Sequence, residues 1–256
     1  KMTGEVVTTP SGLSEMTLWD FTQEMPAGML LEHYGISPQL LPDLRPTFSL
    51  QGEITSAAAG EVGLTPGTPV SYRAGDQPNN AFSLGVLDPG EVAATAGTSG
   101  VVYGVTSVAE SDPLSRVNLF VHVNHDAREP RYGVLLCVNG TGILNHWMKR
   151  VLGGAEGLLD YPQMDALAAS APAGCEGLVV LPYGNGAERT LGNRNIGASL
   201  HGLDLNLHTR AHLLRAAQEG IVYALNHGLE IVRAMGIGVE KVRAGKANMF
   251  LSPLFG

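Results

Sequence analysis

The segment "TRAHLLRAAQEGIVYALNHGLEIVRAMG", residues 209–236, constrains the fold more than any other part of the chain. Leu213, Leu214, Ala217, Ile221, Ala224, Leu225, Leu229 and Val232 recur at helical spacing and make one wide apolar stripe. A helix with such a stripe belongs in a core, and Gly236 and Gly238 mark its end. Upstream lies a strand-rich meander. "EVAATAG" and "GVVYGVT" read as strands joined by the tight turn "GTSG", and "NLFVHVN" and "YGVLLCV" as two more. Helices are predicted over "TGILNHWMKRVLG" and "YPQMDALAASAP", then a buried strand in "GLVVLPYGNG". After the long helix come a strand in "VEKVRAG" and a last helix opening at "KANMFL". This order predicts an α/β fold with a mixed sheet covered by helices.

The first third of the chain is less regular. Residues 15–34 carry Leu18, Phe21, Met25, Met29, Leu30 and Tyr34 at roughly helical spacing, which predicts a helix split or kinked at Pro26 and Gly28. "YGISPQLLPDLRPTF" reads as an irregular connector. A helix is predicted over 55–63, ending at Gly63, then a strand over 69–73 and a helix over 78–86 with Pro78 in its first turn.

Composition sets outer limits. With 256 residues, 44% hydrophobic and 16% charged, the chain can build one large domain or two small ones, and it is not a disordered polymer. A formal net charge of −8 argues against nucleic acid or an anionic membrane as the main partner. Anionic small molecules stay open, because backbone amides bind phosphate without positive side chains. Cys137 and Cys175 make no disulfide framework, and Cys137 sits in an apolar run as a small core hydrophobe; a reducing cytoplasm is the expected setting. No apolar stretch reaches the ~20 residues of a membrane helix, and no signal peptide is visible. The sequence starts at Lys1 and stops at "MFLSPLFG", as an apolar segment begins; a segment of a longer chain, with little or no activity alone, is expected.

Three glycine turns sit where strands meet other elements: Gly97-Thr98-Ser99-Gly100, Asn139-Gly140-Thr141-Gly142 and Ala244-Gly245-Lys246. Small residues let successive N–H groups point at one anion, and a following helix adds its own amides. Any one of these is an ordinary turn, and the three together tilt the reading toward a nucleotide site. Two roles are open for Asp76 in "PVSYRAGDQPNN": an N-cap of the helix that follows, or a general base exposed at a strand's end. His122 and His125 lack a completing ligand cluster and read as hydrogen-bonded or solvated strand-end residues. Arg189 and Arg194 read as solvent-loop residues. There is neither a G-x-S-x-G elbow nor a Walker P-loop.

"YRAGDQPNNAFSLGVLDPGEVAATAGTSGVVYGVT" resembles the opening of the C-terminal domain of the FGGY carbohydrate kinases, and within them the xylulose kinases. A strand, Gly-Asp-Gln, a helix, a Pro-Gly turn and a Gly-Thr-Ser-Gly hairpin stand in the family's order. "ASLHGLDLNLHTRAHLLRAAQE" is similar to the family's second signature, from Ala198 through Gly202 and Leu203 to His212, Leu213 and Glu219. It departs at Gln218, where the signature has an apolar residue. "NGTGILNHWMKRVLG" and "RAGKANMF" match two later glycine turns more loosely. Residues 1–68, opening with "MTGEVVTTPSGLSE", resemble the tail of the N-terminal domain, and residues 69–256 a C-terminal domain truncated at its end.

The resemblance implies an actin-like, ribonuclease-H-like kinase fold, α/β, with a mixed sheet flanked by helices and two domains facing a cleft. It implies ATP-dependent phosphorylation of a pentulose, D-xylulose to D-xylulose 5-phosphate. Ribulose, gluconate or another polyol, or a non-catalytic nucleotide- or sugar-binding relative, stand as alternatives. By the same resemblance Asp76 is the catalytic base and Gln77 a sugar-hydroxyl ligand, Gly97 and Thr98 cradle phosphates, Gly142 and Gly245 let backbone approach the nucleotide, and Asn248 reaches the adenine or ribose side. ATP and Mg2+ are the implied cofactors, with the main Mg2+ contact in an N-terminal phosphate loop that this sequence does not contain. A cytoplasmic location, no nucleic-acid or membrane partner, and a homodimer as the assembly to test for complete the expectation.

Overall fold

The strands read from residues 91–138 pair into one sheet in the computed structural model, which describes residues 1–153 and 159–256. Among the described residues six two-residue strands precede residue 91; from there on, in chain order, the strands are β1 (Glu91–Ala96), β2 (Gly100–Thr106), β3 (Asn118–Val121), β4 (Tyr132–Val138), β5 (Val179–Leu181), β6 (Ser199–His201) and β7 (Lys241–Ala244). Five of them form a mixed sheet in the order β7–β1–β2–β4–β3. β1 and β2 are antiparallel, with Val92 opposite Gly104 and Ala96 opposite Gly100, so the residues between them make the tight turn. β7 runs parallel to β1, with Lys241 beside Glu91 and Ala244 beside Ala94. The chain divides into two units. One is Lys1–Pro89 with Val105–Glu110 and Leu119–Gly133; the other is Gly90–Gly104 with Ser111–Asn118 and Val134–Gly256.

The first unit holds four short helices: α1 (Pro10–Glu15), α2 (Gly28–His33), α3 (Ser56–Val62) and α4 (Asp76–Ser83). The Thr9 hydroxyl accepts from the Gly12 amide at the start of α1, and the Thr55 hydroxyl from Ala58 at the start of α3. α3 ends at Gly63 in the left-handed conformation, as expected from sequence. The helix predicted over 15–34 is corrected. α1 ends at Glu15, and Trp19–Asp20 pairs antiparallel with Met25–Pro26 before α2 begins. Thr17 and Glu24 have φ near 60 and 50, outside any right-handed helix. Asp20 Oδ1 accepts from the amides of Thr22 and Gln23 and from the Thr22 hydroxyl, a side-chain-closed turn that competes with helix. Leu13, Trp19 and Val121 form a small core there, with Leu18, Phe21 and Leu41 packed on it.

His122 is fully buried in this unit, and its Nε2 hydrogen-bonds the Val86 carbonyl at 3.0 Å. Burial first, with the charge of Arg131 as a lesser cause, pushes its pKa from 6.5 down to about 4, against the pull of the Val86 bond. An unfolded chain takes this proton near pH 6.5, whereas the folded one resists until about 4. The contribution is therefore complete above the unfolded value and is lost as pH falls through the folded one. Between those two values about 3 kcal/mol of stability should disappear. Urea unfolding at stepped pH checks this, and His122→Gln should flatten that part of the slope.

The second unit adds α5 (Gly142–Leu152), α6 (Tyr161–Ala169) and α7 (Arg210–Ala234). α7 buries Leu214, Ala217, Ile221, Ala224, Leu225 and Val232, so the apolar stripe is its core face, and it packs on β5, α5 and α6. The helix expected at "KANMFL" is one 3-10 turn, Asn248–Leu251, whose first residue has φ 52 and so cannot continue into an α-helix. Arg189 is not a free solvent residue. Its guanidinium donates to the Ser115 carbonyl and to Asn118 Oδ1, whereas Arg194 is exposed as expected. Cys137 is half-buried rather than a core residue, and both cysteines are free.

Candidate active site

The first unit presents Asp76 at the start of α4, where an exposed side chain stands on the first helical residue. The N-cap role left open for Asp76 is corrected: Gly75 is the N-cap, and no cap side chain bonds the helix. The amides of Asp76 and Gln77 instead donate to Glu15 Oε2 and Oε1, both at 2.9 Å, and the Gly75 amide donates to Ser11 Oγ at 3.1 Å. Pro78 is buried in the first turn, a position where a missing N–H removes no helical bond. Gln77 is partly exposed beside Asp76. Thus an acid and an amide, one an acceptor and the other both donor and acceptor, stand next to each other at a helix start.

In the second unit Gly97, Thr98, Gly142 and Asn248 line one cavity of about 1180 Å3. Gly245 is not among its lining residues. The turn at 97–100 and the turn at 139–142 are fastened to each other. The Gly142 amide donates to the Gly97 carbonyl at 2.8 Å, and the Ile143 amide to the Thr98 carbonyl at 3.2 Å. The Thr141 hydroxyl lies 3.1 Å from the Gly97 carbonyl and 3.2 Å from that of Thr98. A Cβ on Gly142 would run into the Gly97 carbonyl oxygen, so only glycine permits this approach. The rest of the lining is mixed in character: Tyr161, Pro162 and Ala166 of α6 bring apolar surface, and Asn145, His146 and Asp165 bring polar atoms.

Sequence reading missed two acids at this cavity: Asp165, which lines it, and Glu188, which does not but holds the backbone leading into one of its turns. Glu188 is fully buried, and its Oε1 accepts from the Asn139 amide at 2.9 Å, 49 residues away in sequence. Burial holds its carboxyl above the usual range, opposed by the Asn139 and Gly140 amides. It therefore fixes the backbone leading into the Gly142 turn. Asp165 accepts from Gln218 Nε2 at 3.0 Å. Gln218, the one departure from the second signature, is thus a buried anchor for a cavity carboxylate. Elsewhere in that signature, Thr209 and His212 cap α7 reciprocally, and Glu219 pairs with Arg215 at 2.8 Å. Among the described residues no group of three or more His, Cys, Asp or Glu side chains could hold a metal ion, and no helix is long and apolar enough to cross a membrane.

Comparison with known proteins bears on the family and the fold. A model of the FGGY family of carbohydrate kinases, C-terminal domain, matches residues 92–244, and the N-terminal domain model matches residues 1–83. The chain is 29% identical over 244 residues to a xylulose kinase of Bacillus subtilis, covering 94% of this chain and 47% of that protein. It is 27% identical to a gluconokinase of Bacillus licheniformis, covering 75% of this chain and 37% of that one. The crystal structure of xylulose kinase from Rhodospirillum rubrum superposes with a TM-score of 0.84 at 30% identity, over 99% of this chain and 50% of that one. The chain spans about half the length, or less, of the curated relatives it matches. The α/β architecture is the actin-like, ribonuclease-H-like fold of the sugar kinases. With both family models matched and its mixed sheet, glycine turns and Gly-Asp-Gln helix start in family order, the chain belongs to the FGGY family of carbohydrate kinases.

Proposed function

We propose that the protein carrying this chain transfers the γ-phosphoryl group of ATP to a hydroxyl of a pentulose, D-xylulose, with Asp76 as the general base. The observation that supports this most is the cavity of the second unit, where two fastened glycine turns and Asn248 come together. Gly97 and Thr98 would take the phosphates through backbone amides and the Thr98 hydroxyl, and Gly142, whose own amide is held by the Gly97 carbonyl, would keep the second turn close beside them, which suits an acidic chain with few cations to spare. Asn248 would meet the adenine or ribose side, and Gly245 would leave room for backbone to approach the nucleotide.

Phosphoryl transfer proceeds through a loose transition state and depends on positioning and charge stabilisation. A carboxylate that orients the acceptor hydroxyl and takes its proton late need not be a strong base, which fits an exposed Asp76. Gln77 would read the sugar hydroxyls as both donor and acceptor. The described residues form no cage for Mg2+, which would arrive on the nucleotide phosphates and neutralise their charge.

The sugar is argued from relatives named xylulose kinase, while the gluconokinase relative favours gluconate as a second reading. A coupled ADP assay of the whole protein over D-xylulose, D-ribulose, gluconate and glycerol tests the choice. The highest kcat/KM is expected for D-xylulose. A preference for gluconate would replace the substrate and keep the reaction class, and no turnover with any of them would favour a binding protein on this fold.

A further inference from the structure

α1 and α4 meet, inside the first unit, through the Glu15 carboxylate and the Ser11 hydroxyl. The amides of Asp76 and Gln77 both end on Glu15, while Ser11 takes the Gly75 amide. A helix start leaves its first amides unpaired, and an acidic side chain in the first turn is drawn toward them. Asp76 is such a side chain. A carboxylate engaged on helix amides is pinned along its own helix and is a poorer proton acceptor. In this protein the anion at the helix start is supplied from α1, 61 residues earlier in sequence. The fit leaves no slack, since a Cβ on Gly75 would overlap the Glu15 carboxyl group. The Glu15 carboxyl also sits above its usual range, from burial first and from the charge and hydrogen bond of Asp76 besides, against the pull of the two amides. The Glu15 carboxyl therefore lies within direct reach of the Asp76 side chain.

We propose that Glu15 is the positioning residue of the catalytic carboxylate: it occupies the amides of α4 and so keeps the Asp76 side chain beside it from folding onto its own helix start, where it could not serve the acceptor hydroxyl. This inference rests on the reading of Asp76 as the general base. In this inference Glu15 acts through Asp76 and not on the substrate.

The test is kcat, KM and Tm of the whole protein with Glu15→Gln, measured beside Ser11→Ala and Asp76→Asn. Gln keeps the length of the side chain but turns an N–H group toward one of the two amides, releasing that amide to attract Asp76. A displacement of the base should lower kcat about 10- to 100-fold with KM for ATP held within about twofold. Ser11→Ala removes only the neighbouring bond between the two helices, so it should lower Tm and leave kcat within about twofold. Should Glu15→Gln fail to fold, Glu15→Asp, whose shorter arm cannot hold both amides, is read for the same split between kcat and KM. An unchanged kcat in the Glu15 variants with Asp76→Asn inactive overturns the inference and leaves the base assignment standing. A Tm loss like that of Ser11→Ala, with no separate loss of kcat, overturns it too. Full turnover in Asp76→Asn removes the base assignment and the inference together.

Discussion

Replacing Asp76 with Asn in the whole protein should lower sugar phosphorylation by about 10²- to 10⁴-fold, the range set by a positioned general base. Nucleotide affinity should stay near the parental value. The reason for this split is local. Asp76 stands on the first turn of α4 with an exposed side chain, and its backbone amide is already taken by Glu15. Asn preserves the shape and the helix start, so the change removes a proton acceptor and little else. Turnover by quench, with ADP affinity by calorimetry on the same preparation, separates the two quantities. A matched loss of both would mean that the carboxylate supports the fold of its unit rather than the chemistry.

The second large effect is expected from Gly142→Ala. The new methyl would be driven into the Gly97 carbonyl oxygen, which is backbone and cannot swing aside. To make room, the two glycine turns must part. That breaks the bonds from the Gly142 amide to Gly97 at 2.8 Å and from the Ile143 amide to Thr98 at 3.2 Å. Turn bonds of this kind contribute about 1 kcal/mol each, so a loss of about 2 kcal/mol is expected. If the turns cradle phosphate, nucleotide affinity should fall ~30-fold, since each 1.4 kcal/mol is tenfold. Gly97→Ala is the comparison. A Cβ there meets Asn248 Nδ2 at 3.5 Å and the Ser99 carbonyl oxygen at 3.7 Å, both ordinary contacts, so the stability of that variant should hardly change. Equal stability losses in the two variants would show that turn flexibility, not the close approach, is what glycine provides.

The parts of this molecule that are legible in its sequence are those whose cause is local. The stripe on α7 repeats at helical spacing along the whole helix, and burying that stripe is what the helix does. The hairpin between β1 and β2 follows from two apolar runs around the tight turn at Gly97–Gly100, and the helix over 56–62 from a threonine cap and a closing glycine. Residues 15–34 misled because apolar spacing cannot see an aspartate closing a turn, nor the left-handed backbone at Thr17 and Glu24. The contacts that matter for the candidate site are of the same unreadable kind. Glu15 reaches Gln77 across 62 residues and Glu188 reaches Asn139 across 49, each a lone acid with no local pattern around it. Gln218 gave the one usable signal, a polar residue where the family signature has an apolar one, and its partner Asp165 became visible only once α6 and α7 were packed.

Sugar-dependent ADP release, followed side by side in the whole protein and in its Asp76→Asn variant, bears most directly on the claim that this carboxylate prepares a sugar hydroxyl to receive the phosphoryl group. ADP release should require the sugar in the parent and nearly vanish in the variant while nucleotide still binds. Release that proceeds equally without any sugar, or that survives the loss of the carboxylate, would contradict the claim.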